Sequence, residues 1–247
     1  MYPALFFLWM FYWFICVIIF LWYKSVGDFM SKKNLYGSFS LNLFTLVSVI
    51  VCMTITMIRN PESIKMFTVQ SNFISGIVAL VMVVFEILVI LKKKEELPFW
   101  LKVLKMITTT AVTLTFLVVV FYLGFVAIAE GYSYFIMFRS TNFCFHFLTP
   151  LSAIISFILF ENTNKIKYRL TFLNMIHMVL YTIFYAINVF THLNPDGSVN
   201  RAYDWYYFIL GEKYTFIFVV IGMLLITYGI GFVLWLLNKK LYKEKQK

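Results

Sequence analysis

Apolar runs long enough to cross a bilayer recur along the chain, each closed by a short cluster of charged or turn-forming residues. A helix rises ~1.5 Å per residue and a hydrocarbon core is ~30 Å thick, so a crossing takes about 20 apolar residues. By that measure the pattern predicts spans at 3–23, 39–58, 67–91, 103–127, 141–160, 171–190 and 214–238. The longest polar connection is 191–213, with a turn expected at Asn194-Pro195-Asp196-Gly197. The expected fold is therefore an all-α polytopic bundle of about seven spans. Residues 1–38 form an added N-terminal helix and loop, 39–238 a six-helix core, and 239–247 a basic tail. The first span lacks a basic leader and a small-residue cleavage site, and it reads as a retained helix.

Composition agrees with lipid as the solvent. The chain is 62% hydrophobic and only 13% charged, with mean hydropathy +0.86. A soluble domain carries about 25% charge. The formal charge of +10 does not indicate nucleic acid, because the basic residues sit in short loops where they meet anionic headgroups. Of 21 Lys and Arg residues, 16 fall in the odd-numbered loops and the tail; the other 5 are Arg59, Lys65, Arg139, Arg201 and Lys213. The positive-inside rule then places the C-terminus in the cytoplasm and the N-terminus outside, in a multi-pass protein of the cell membrane. Cys16, Cys52 and Cys144 lie in apolar segments and read as unpaired small hydrophobes without a disulfide or metal framework.

Polar groups within the spans need a partner or a task. Thr68, Ser71, Asn72 and Ser75 recur at helical spacing and form one stripe on the 67–91 span, with Gln70 beside them. Asn142, His146, Thr149 and Ala153 form another on the 141–160 span. Pro150 cannot donate to the carbonyl of His146, so a kink is expected there. Either stripe also fits a seam between closely packed helices. Both spans run from outside to inside, which sets Thr68 and His146 at similar depth. A neutral imidazole can take a threonine's proton, and Asn72 or Asn142 can orient the ring or stabilise an oxyanion. Glu86 is expected to pair with Lys92–Lys94 or reach the interface, and His177 to be a packing residue away from this site. Tyr181, Tyr185 and Asn188 lead toward the outer face as candidate cavity lining. Trp205, Tyr206, Tyr207 and Phe208 read as an interfacial belt or lid, and His192 as solvated.

Phe67-Thr68-Val69-Gln70-Ser71-Asn72 and His146-Phe147-Leu148-Thr149-Pro150 resemble signatures of the bacterial six-helix relatives of the androgen-induced protein and androgen-dependent TFPI-regulating protein family. The Tyr181–Tyr185 region and the segment Asp204-Trp205-Tyr206-Tyr207-Phe208 extend the likeness, which covers roughly 39–238. Eukaryotic members are intramembrane threonine hydrolases of fatty acid esters of hydroxy fatty acids. The resemblance implies that Thr68 attacks a lipid ester, with His146 as base and then acid and an acyl-enzyme resolved by water. It implies no metal or organic cofactor, and membrane lipids and an acyl ester as partners. A small-solute or lipid transporter and a non-catalytic lipid-binding protein are the alternatives.

Overall fold

The computed structural model describes residues 32–209 and 215–244, with the side chains of 242–244 left aside. The expected 3–23 span and Cys16 lie outside the described residues. Among the described residues, six helices are long and apolar enough to cross a membrane: α1 Lys32–Arg59, α2 Phe67–Ile90, α3 Phe99–Ala129, α4 Thr141–Leu159, α5 Tyr168–Thr191 and α6 Thr215–Glu244. Each coincides with an expected span to within a few residues except at the start of α1 and the end of α6, which run on. There is no strand among the described residues.

The breaks follow local chemistry. Asn60-Pro61 ends α1 and opens a tight turn, Pro61–Lys65, before α2. Pro98, which has no N–H to satisfy, stands at the N-cap of α3. Gly131 and Gly197 adopt positive φ, a conformation open to glycine at little cost. The Asn194–Gly197 turn forms as expected, with Gly197 N–H donating to Asn194 O at 2.8 Å.

α3 is the central staff. Every residue from Trp100 to Thr115 is buried, as expected of a helix packed on all sides. α2, α4, α5 and α6 pack against it, and α1 packs in turn on α2 and α4. α1 and α2 approach closely at Gly76, where a Cβ would stand 2.6 Å from Val49 Cγ1. Small residues at such crossings are what membrane helices use to approach each other. Large apolar side chains cover the outside, including Phe218 at 72% and Phe121 at 69% exposure. Together with the six apolar helices, that surface is suited to lipid.

One end of the bundle carries the lysine-rich turns, with Lys92–Lys94 exposed beyond α2. The opposite end carries the 192–209 aromatic segment and the α1–α2 turn. Lys102 and Lys105 are not loop residues as the charge pattern suggested. They lie inside α3 with 6% and 1% exposure.

Candidate functional site

At the aromatic end, the first turn of α2 presents N–H groups that have no helical partner. Met66 at the cap supplies no side-chain acceptor, and Phe67 N–H donates instead to Tyr206 Oη at 3.0 Å. Burial holds the Tyr206 phenol above its ordinary pKa, so it stays a neutral acceptor. The preceding turn is held from below, because Tyr181 Oη donates to Lys65 O at 3.0 Å and Gln70 Nε2 to Ile64 O at 3.1 Å. Trp205 Nε1 donates in turn to Tyr181 Oη at 3.0 Å. Tyr185 Oη donates to buried Asp204, which also accepts from Phe208 N–H at 3.0 Å. The aromatic segment is thus a clamp on the start of α2, where Thr68 sits half-buried.

Asn72 joins α2 to α4. Its Nδ2 donates to Thr68 O at 2.8 Å and to Phe145 O at 3.1 Å. Ser71 Oγ also donates to Thr68 O, at 3.0 Å. Ser75, one turn further, is buried at 2% exposure. The helices carrying Thr68 and His146 are therefore neighbours at this depth. Among the described residues, however, no hydrogen bond joins Thr68 Oγ1 to His146, and His146 Nδ1 has no partner. Gln70 Oε1, Asn72 Oδ1 and Thr149 Oγ1 are likewise buried without partners among the described residues. Buried polar atoms of this kind are where water or a ligand belongs.

The disturbance expected before Pro150 takes the form of a π-helical turn, Cys144–Leu148, with His146 at its middle. Thr149 N–H reaches back to Cys144 O, and the wider ring accommodates the donor that proline lacks. Asn142, just before this turn, is exposed, whereas His146 is half-buried.

Four further expectations change. Cys52 and Cys144 are joined by a disulfide, with Cα atoms 6.6 Å apart. The expectation of unpaired thiols fails because the π turn faces the end of α1. His177 does not lie apart from the site, since its ring centroid is 5.0 Å from that of Phe67, beside Thr68. Both its ring nitrogens lack partners among the described residues. Tyr181 and Tyr185, at 1% and 0% exposure, are structural supports and do not line an open cavity. Asn188 and Trp205 do line one, a cleft of about 620 Å³ with Ile64, Lys65 and Phe184. His192 stacks on Tyr203 at 3.9 Å at its rim, so it is not simply solvated.

A second polar cluster fills the lysine-bearing end. Glu86 turns inward with 0% exposure, away from Lys92–Lys94. Its Oε1 accepts from Ser38 Oγ at 2.5 Å and Asn42 Nδ2 at 3.0 Å. Lys105 Nζ donates to Asn42 Oδ1 at 2.6 Å and lies 3.8 Å from Glu161 Oε1. Ser156 Oγ donates to the same Glu161 oxygen at 2.7 Å. Burial raises the Glu161 carboxyl above its ordinary value, against the opposing pull of Lys105. The pattern of spans missed this cluster. Its signal was present in Ser38 and Asn42 at i, i+4 and in one charge inside each of two adjoining apolar windows. No group of three metal-ligating side chains occurs among the described residues.

No family model matches this chain, and neither a curated protein nor a solved structure is measurably similar to it.

Proposed function

We propose that the protein is a multi-pass membrane enzyme acting on lipid esters, as hydrolase or acyltransferase, with Thr68 as nucleophile and His146 as base. The observation that carries this reading is the Asn72 amide, which ties the Thr68 and Phe145 carbonyls and so joins the turn that bears Thr68 to the one that bears His146. The unpartnered atoms of Asn72, His146 and Thr149 supply a polar lining that a bound ester or water would satisfy.

In this mechanism Thr68 Oγ1 attacks the ester carbonyl while His146 takes its proton. The imidazolium then protonates the departing alkoxide, and water or a second alcohol resolves the acyl-threonine. Both hydrogens of Asn72 Nδ2 are already committed, so Asn72 positions the turns and is not the oxyanion donor. The positive dipole end of α2 serves that purpose. Thr68 and His146 close to hydrogen-bond distance on substrate entry or through one water.

Charge asymmetry supports an orientation with the lysine-bearing end in the cytoplasm and the aromatic end outside the cell membrane. A disulfide at the aromatic end fits an oxidising compartment on that side. The sequence resemblance supports the chemistry.

The test is labelling by a fluorophosphonate probe in wild type, Thr68→Ala and His146→Ala. Labelling confined to wild type is expected, and labelling retained by both variants removes the site. A transport reading draws on the buried Glu86–Lys105–Glu161 charges. It requires solute uptake by proteoliposomes that Glu86→Gln abolishes and Thr68→Ala leaves intact.

A further inference from the structure

The Glu86 carboxyl has no role in ester chemistry, and its surroundings are peculiar for an ion. It is fully buried in a helix of the apolar bundle, and one oxygen, Oε2, has no partner among the described residues. No cation lies within ion-pair distance of it among the described residues. Lys105 is engaged with Asn42 and Glu161, Lys102 is 4.0 Å from Glu96, and Lys92–Lys94 are exposed beyond the helix end. The groups facing Glu86 are neutral Ser38 and Asn42 from α1, Lys105 from α3, and Glu161 from the turn after α4, whose charge Lys105 already answers.

An ionised carboxylate left in that position costs far more than a neutral acid with one idle oxygen. A bound metal cation is a poor substitute. Ser38 and Asn42 turn hydrogens toward Glu86, not lone pairs, and a cation takes several oxygen ligands. The Lys105 ammonium, bonded to that same Asn42, would repel it as well.

We infer that Glu86 is a proton-binding site: a neutral carboxylic acid at physiological pH, set beside a Lys105–Glu161 ion pair that is left charge-balanced. The proton comes from water at the lysine-bearing end, and releasing it there regenerates the carboxylate. This inference is independent of the ester-hydrolase reading, because it concerns the other end of the bundle and does not use Thr68 or His146.

The experiment is infrared spectroscopy of the purified full-length protein in lipid nanodiscs at neutral pH. A carbonyl band of a protonated carboxyl is expected, shifting down in D₂O, absent from Glu86→Gln and retained in Glu161→Gln. Glu86→Asp, which keeps the acid, is expected to move the band without removing it. Glu86→Gln resembles the neutral acid, so its melting temperature is expected to equal or exceed that of wild type. A wild-type spectrum without the band, a band that persists unchanged in both Glu86 variants, or one lost only in Glu161→Gln overturns the proposal.

Discussion

Asn72 donates from one amide nitrogen to two carbonyls, Thr68's at 2.8 Å and Phe145's at 3.1 Å, and thereby fixes the register of α2 against α4. Asn72→Leu leaves a buried carbonyl on α4 without its donor, a loss of about 1–3 kcal/mol. A lower melting temperature is expected. Misplacing the pair by about an ångström costs roughly 10²-fold in reactivity, so the rate of fluorophosphonate labelling is expected to fall by about that factor. Labelling at the wild-type rate in a destabilised variant would separate the bridge from the chemistry.

Cys52 and Cys144 close a loop across 92 positions of sequence. The chain-entropy account gives about 4–5 kcal/mol for a bridge of that span. Cys52→Ser and Cys144→Ser are each expected to lower the melting temperature in the absence of reductant and to be indistinguishable from one another. Alkylation under denaturing conditions is expected to gain two thiols when wild type is first reduced. An unchanged thiol count would rule out the bridge.

Tyr206 accepts from the first free N–H of α2. Tyr206→Phe keeps the ring and removes the acceptor, at a cost of about 1 kcal/mol. The measurable result is a modest fall in melting temperature with hydrogen exchange accelerated at Phe67 and its neighbours. Slow exchange there in the variant would show that another group caps the helix.

Glu161 gives a pH dependence of definite sign. Burial raises its folded-state pKa above the ordinary 4.5, so the folded protein binds the proton more tightly than the unfolded chain. Its contribution to stability is full below about 4.5 and is lost as pH rises through the raised folded value. Melting temperatures recorded from about pH 4 upward are expected to carry a decline that Glu161→Gln lacks. A parallel decline in the variant would assign it to other groups.

The spans were legible because hydrocarbon imposes one dominant period and length, and α2 through α5 fall where apolar runs of that length end in charge or proline. The Thr68 and His146 stripes were legible as faces, and Asn72 does join them. What failed were inferences that depend on phase or on neighbours. The π turn adds one residue before Pro150, which shifts the phase of the helix across it. Helical spacing taken as uniform cannot register that step. The Cys52–Cys144 bridge and the inward turn of Glu86 depend on which helices touch. Lys105 reads as a loop charge by position near a span's end, yet the bundle closes over it. Tyr181 and Tyr185 have a direction along α5 that is visible in sequence, whereas their partners, Lys65 O and Asp204, come from distant segments.

α3 and α4 are joined in sequence but differ greatly in length, at 31 and 19 residues. Those counts correspond to about 46 Å and about 28 Å of helix. One leg overshoots a hydrocarbon core of ~30 Å while the other barely spans it. Tilt or emergence of its Phe121–Phe125 end relieves the longer leg. A leg as short as the other is met in a bilayer by thinning, snorkelling of flanking residues or association. Since α4 carries the His146 turn, hydrophobic mismatch acts on the segment proposed to do the chemistry. On the proposed reading, membrane thickness becomes a mechanical input to the site, one that a series of lipids differing only in acyl-chain length would vary directly.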